Sequence, residues 1–245
     1  MAEKKKHNFV QSGTNNVTAD KPQQTTHTLN QARPVGNATG YRLGAIGLWV
    51  AAFICEVLAV LILFGKINLK FMPTLGQLIL FIILDLVFLI IGSQLWKKAN
   101  HIKPMSEKNP TLFWMWNNMG IIVAVVCFCP LIILLLTNKN LDKRTKTIAT
   151  VVAIIALLIG GVSSYDFNPV SQEQLEAAET ALGDQSVYWA PFGKVYHTHE
   201  DCGALNHTDT LTVGTVDQAI AANKTRLCSF CANKDAITGV VTDGD

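Results

Sequence analysis

Four long apolar blocks occupy most of the chain between residues 43 and 164. The first runs from about Leu43 to Phe64, between Arg42 and Lys66. The second runs from about Leu75 to Trp96 and is closed by Lys97 and Lys98. The third runs from about Leu112 to Leu136, closed by Lys139, and the fourth from about Ile148 to Ser164, between Lys146 and Asp166. A helix rising 1.5 Å per residue needs about 20 mainly apolar residues to cross a bilayer. The first three blocks meet that length and the fourth is short but sufficient. Backbone polar groups in hydrocarbon must be paired within their own segment, which predicts helices. Short connections between the blocks predict an antiparallel bundle. Trp49, Trp96, Trp114, Trp116 and Tyr165 fall near block ends, where interfacial anchors are expected. Ala149 and Ala153, then Ala156, Gly160 and Ser164, recur at four-residue spacing and predict close helix packing within the bundle.

The flanks are different in kind. Residues 1–41 are polar and aperiodic, rich in Thr, Asn and Gln after a basic start at Lys4-Lys5-Lys6, and read as a retained, disordered tail. The four-helix transmembrane domain spans 42–165. Beyond Pro169, Ser171 and Gln174 form a capping-box pattern that opens a short acidic helix over Gln172–Leu182. This helix reads as part of a solvated linker, 166–185. Residues 186–234 have the composition of a small folded domain, and 235–245 read as a second disordered tail. The predicted fold class is an all-α four-helix transmembrane bundle plus a small α+β, zinc-ribbon-like C-terminal domain.

Composition strengthens the membrane reading. Charged residues make up only 16% of the chain and hydrophobic residues 49%, against an average near 25% charged. Mean hydropathy is +0.28. A soluble globular protein and a disordered one are both excluded, leaving a multi-pass cell-membrane protein whose first partner is the lipid bilayer. Residues 1–165 hold 16 Lys and Arg against 6 Asp and Glu, a net of +10, whereas 166–245 hold 4 against 12, a net of −8. An acidic C-terminal domain repels phosphate backbones, so nucleic acid is not an expected partner. Four spans place both termini on one side. Which side stays open, because six basic residues flank the helices on each.

The C-terminal stretch carries the most specific chemistry. Val187-Tyr188-Trp189 and Val195-Tyr196-His197 are β-prone runs around Pro191-Phe192-Gly193 and predict a hairpin. Thr215 and Gln218 form a second capping box that opens a helix through about Ala222. Cys228 and Cys231 follow as a Cys-x2-Cys pair, and His197 and Cys202 as a His-x4-Cys pair. A core of this size rarely holds a fold unaided. Three thiolates and one imidazole match a closed, tetrahedral structural zinc site made of His197, Cys202, Cys228 and Cys231. The segment resembles a small module at the C-terminus of various bacterial membrane-anchored or secreted proteins. That module has an aromatic-rich hairpin ending in Tyr-His, then Cys, an Ala-rich helix and a closing Cys-x2-Cys. The resemblance covers about 45 residues and implies a small metal-binding fold without an activity. The rest of the chain resembles an uncharacterised bacterial membrane protein. His199 departs from the pattern, since strand alternation would put it on the same face as His197. His197 is preferred because it follows the tyrosine.

Other uses of these cysteines fit less well. A thioredoxin-like pair needs a larger α/β context, and a disulfide staple leaves one of three cysteines over. Haem attachment needs His where Ala232 stands. A catalytic zinc keeps an open position, which four ligands do not leave. Cys55, Cys127 and Cys129 lie in apolar blocks and are read as small hydrophobes.

Glu56 and Asp85 lie near the middle of the first and second blocks, with no Lys, Arg or His at matching depth. They read either as an intramembrane polar site for a proton or cation, with Asn117 and Asn118 as further contributors, or as protonated groups that hydrogen-bond and hold the helices together, the reading preferred here. No nucleophile–base pair and no phosphate-binding glycine loop is present, so the chain reads as no enzyme. The expected function is a non-enzymatic membrane protein displaying a zinc-stabilised module that binds an unidentified protein partner or senses a condition. The alternatives are a small proton- or cation-coupled transporter using Glu56 and Asp85, and a thiol-redox membrane protein using Cys228 and Cys231.

Overall fold

A computed structural model describes residues 7–12, 17–18, 36–70 and 72–244. Four of its helices are long and apolar enough to cross a membrane: α1 (Ala38–Leu63), α2 (Thr74–Ile102), α4 (Met119–Thr137) and α5 (Lys143–Ser164). The third apolar block is divided. A short α3 (Pro110–Asn117) precedes α4, with Asn118 between them. Asn118 Nδ2 donates to Trp114 O at 2.9 Å and its Oδ1 accepts from Asp166 N–H at 3.3 Å. Its side chain thus pairs backbone groups at the break.

The chain forms two compact units. Thr39–Ala99 and Trp114–Phe167 make the helical unit. Its helices are apolar all round: Leu43, Val50, Ile83, Ile133, Leu158 and Val162 are exposed while Leu78, Leu89, Phe128 and Leu131 are buried. A helix of this kind has no face suited to water. The small-residue stripe of α5 lies inside the unit, with Ala149, Ala153, Ala156, Gly160 and Ser164 all buried. A Cβ added at Gly120 of α4 would meet Ser93 and come within 2.9 Å of Ser164 Cβ. Close approach there therefore depends on a missing side chain. Not every tryptophan lies on the surface of the unit. Trp49, Trp96 and Trp116 stack at centroid distances of 5.2 and 5.1 Å, and Arg42 lies over the Trp96 and Trp116 rings. Trp49 and Trp96 are buried while Trp114 is exposed. The three rings thus pack on one another, and two of them carry one cation.

The second unit joins the described residues of three stretches of chain: 1–38, 100–113 and 168–245. Its main sheet has the order β2-β1-β5-β3, and a two-stranded sheet pairs β4 with β6. The strands are β1 (Asn8–Gln11), β2 (Val17–Thr18), β3 (Val187–Trp189), β4 (Val195–Tyr196), β5 (Thr210–Gly214) and β6 (Arg226–Leu227). The helices are α6 (Gln172–Leu182), α7 (Val216–Ala221) and α8 (Ser229–Lys234). Ser171 and Gln174 complete the capping box of α6, and the Gln218 side chain reaches back to the Thr215 N–H at the start of α7.

Several boundaries differ from those read in the sequence. Most of the stretch expected as an N-terminal tail lies outside the described residues, but Asn8–Gln11 forms a strand parallel to β5 with Phe9 buried. The segment expected as a solvated linker contributes Val170, Ala178 and Leu182 to the core, because α6 is amphipathic. The expected C-terminal tail is a strap along β6. Leu227 N–H donates to Val241 O and Asp243 N–H to Leu227 O, while Ile237 and Val240 pack on the core. The expected hairpin is closed by one bridge, Tyr188 to His197. The longer pairings run from β3 to β5 and from β4 to β6.

Candidate metal centre

The second unit brings His197, Cys202, Cys228 and Cys231 together. All four are buried and their ligand atoms lie within 4.8 Å of one another. Three of the four flank an element, and Cys231 lies in the first turn of α8. His197 follows β4, Cys202 precedes the 3-10 turn Gly203–Leu205, and Cys228 and Cys231 occupy the junction of β6 with α8. Cys202 and Cys228 share one backbone conformation, φ −60° with ψ 132° and 126°. That conformation turns the N–H groups of the following turn back toward the sulfur. The Ala204 N–H acts on Cys202, and those of Phe230 and Cys231 on Cys228, in the sense that lowers the thiol's proton affinity. Cys231 accepts from the Thr198 and His199 N–H groups. These donors favour negative charge on sulfur, as a set of metal-binding thiolates requires.

The spacing fits one four-coordinate ion. Cys202 Sγ and Cys228 Sγ are 3.8 Å apart, and Cys231 Sγ is 3.9 Å from His197 Nδ1. With metal–sulfur bonds of about 2.3 Å and a metal–nitrogen bond of about 2.0 Å, a tetrahedron has edges of about 3.8 and about 3.5 Å. A sulfur separation of 3.8 Å is also far from a disulfide bond, and all six cysteines are free. Four protein ligands would complete the coordination of one tetrahedral ion at such a site.

His199 is not part of this set. Its Nε2 lies 2.6 Å from Asp235 Oδ1, and its side chain is 30% exposed. β4 ends at Tyr196, so strand alternation does not continue to His199. Asp235 also accepts from Thr198 Oγ1 at 2.5 Å, and the Thr198 hydroxyl in turn contacts Cys231. The sequence reading did not include this second layer. A histidine two residues from a ligand and an acid four residues after Cys231 were its only traces.

The thiols differ in proton affinity. Burial pushes Cys202 up to about 12 and also raises Cys228. Burial acts on Cys231 as well, but hydrogen bonds from His197 and from the His199 and Thr198 backbone outweigh it and bring that thiol down to about 6.

The acids singled out in the apolar blocks lie in the helical unit, with Glu56 4% and Asp85 1% exposed. They are near enough to interact with each other, and Glu56 hydrogen-bonds Cys127 of α4. Both Asp85 oxygens and Glu56 Oε2 lack a hydrogen-bond partner among the described residues. Asn118 does not join them, since it is engaged with Trp114 and Asp166. Cys127, read as a plain hydrophobe, is the residue brought beside them.

Four apolar helices of spanning length and a buried His/Cys cluster together fit a membrane protein with a metal site. Comparison with family models, curated proteins and solved structures finds no match to the chain.

Proposed function

We propose that this chain is a non-enzymatic multi-pass membrane protein whose C-terminal unit is a structural zinc module, used to bind a protein partner or to sense metal. The observation that carries the reading is the closed, buried set of three thiols and one imidazole, which suits a borderline-soft tetrahedral ion. The small core behind it gains from a metal cross-link. The pairing of β1, before the first apolar helix, with β5, after the fourth, supports both flanks lying on one side of the membrane. Phe192 at a turn and Phe230 inside the Cys228-x2-Cys231 turn are 99% and 72% exposed, which supports a partner-binding face. The test is metal content of the purified full chain in detergent, wild type beside Cys228→Ser. One zinc per chain, lost in the variant, is the expected result. A wild type that carries no metal and takes none up ends the proposal.

The unpartnered carboxyl oxygens of Glu56 and Asp85 favour a second reading, a proton- or cation-coupled transporter. It predicts ion flux in liposomes that Glu56→Gln abolishes without unfolding the helices. A parent protein without flux rules it out.

A further inference from the structure

The N-terminal strand belongs to the same unit as the His/Cys cluster, and its contacts lead toward it. β1 runs parallel to β5 in the register Asn8 to Thr210 through Gln11 to Val213. The Asn8 and Ser12 N–H groups donate to Asp209 O and Val213 O, each at 2.8 Å. His7 Nδ1 lies 2.8 Å from Thr208 O. Phe9 is the buried anchor of the segment, its ring edge-on to Tyr188 at a centroid distance of 6.3 Å. Tyr188 in turn exchanges both backbone hydrogen bonds with His197, at 2.8 and 2.7 Å. One residue therefore links the anchor of the N-terminal strand to a member of the ligand set.

We propose that docking of residues 7–12 on the edge of β5 is controlled by the metal, so that the module's output is the captured or released N-terminal segment. This rests on the zinc reading above. A held His197 fixes Tyr188, and Tyr188 with β5 is the surface to which the strand adds. The segment itself has little margin. Ordering its backbone costs conformational entropy at every residue, and what opposes that cost is a short hydrogen-bond ladder to β5, the pairing with β2, and two buried rings, Phe9 and His7. A surface loosened by loss of the ion does not retain it. Release then uncovers the β5 edge, a row of backbone groups that invites another extended segment.

Hydrogen exchange read by mass spectrometry on the full chain in detergent micelles tests this. Zinc-loaded, chelator-stripped and reloaded protein are compared, with metal content measured on each sample. Stripping is expected to speed exchange across residues 7–12 by about tenfold or more, and reloading to reverse it. Phe9→Ala is expected to free residues 7–12 in loaded protein while zinc content and protection of residues 226–231 stay as in wild type. Unchanged exchange at residues 7–12 in protein shown to lack metal overturns the proposal. So does loss of zinc from Phe9→Ala, which would make the strand a part of the metal fold and not its output. If the chain takes up no zinc at all, the zinc reading fails on metal content and this proposal fails with it. If zinc binds and the strand does not respond, only this proposal falls.

Discussion

His197 and His199 stand two positions apart and have different partners, which makes them a sharp residue-scale test. His197 Nδ1 faces Cys231 Sγ, whereas His199 is tied to Asp235 at the surface. His197→Ala should therefore lose the metal, while His199→Ala keeps one ion per chain at an affinity lower by about 10- to 100-fold, the usual cost of disturbing a group behind a ligand. Metal titration against a competing chelator measures both. The same titration carries a pH prediction. Binding requires thiolates, and Cys202 and Cys228 are protonated at neutral pH because burial raises them. Displacing those two protons should make affinity rise about 100-fold per pH unit between pH 7 and 8 and fall as pH drops. Below about 6, Cys231 also takes up a proton, and the loss should steepen. A flat profile from pH 6 to 8 would refute this assignment of the thiols.

At the scale of elements, the contact of α4 with α5 shows what small residues contribute. Ser164 Oγ donates to Ser93 Oγ at 2.8 Å, and Ser93 Oγ donates to Leu89 O. Gly120 lies against both serines, at separations where an added Cβ would overlap their Cβ atoms. At Gly160 the obstacle is the flexible end of Leu89. Gly120→Ala should destabilise the helical unit by about 1–3 kcal/mol, and Gly160→Ala by less. Unfolding of both variants in mixed micelles would show the order, and the reverse order would contradict the packing described. The stripe on α5 was legible because four-residue spacing on a helix puts side chains on one face. The partner Gly120 was not, since a glycine in an apolar block carries no mark of which neighbour approaches it.

The second unit, taken whole, is assembled from segments far apart in sequence. Its core includes Phe9, Val170, Ala178 and Leu182 as well as the strands near the cluster. A fragment of residues 184–245 lacks all four of these side chains. Even with zinc it should show no cooperative thermal transition, whereas 166–245, which keeps α6, should unfold cooperatively. Calorimetry on both fragments checks this, and equal transitions would mean that α6 adds nothing to the core. The acidic look of α6 hid its role, because Glu173, Glu176 and Glu179 dominate a reading by composition while Leu175, Ala178 and Leu182 carry the packing.

Local signals were enough for much of this protein. Four runs of apolar residues predict four helices because a bilayer leaves no other way to pair the backbone. Ser171 with Gln174 marks the start of α6 because both capping partners lie within one turn. The spacing of His197, Cys202, Cys228 and Cys231 points to one ion because few other uses of three thiols and an imidazole fit so small a domain. Tertiary structure alone decided which strand pairs with which, since β1 and β5 lie at opposite ends of the chain and two four- or five-residue runs hold no record of each other. It also decided that His199 turns to Asp235, that Cys127 sits beside Glu56, and that the C-terminal residues lie along β6. Each of these is a contact between distant residues, chosen by the shape of the core and by the need to satisfy backbone groups at its edges.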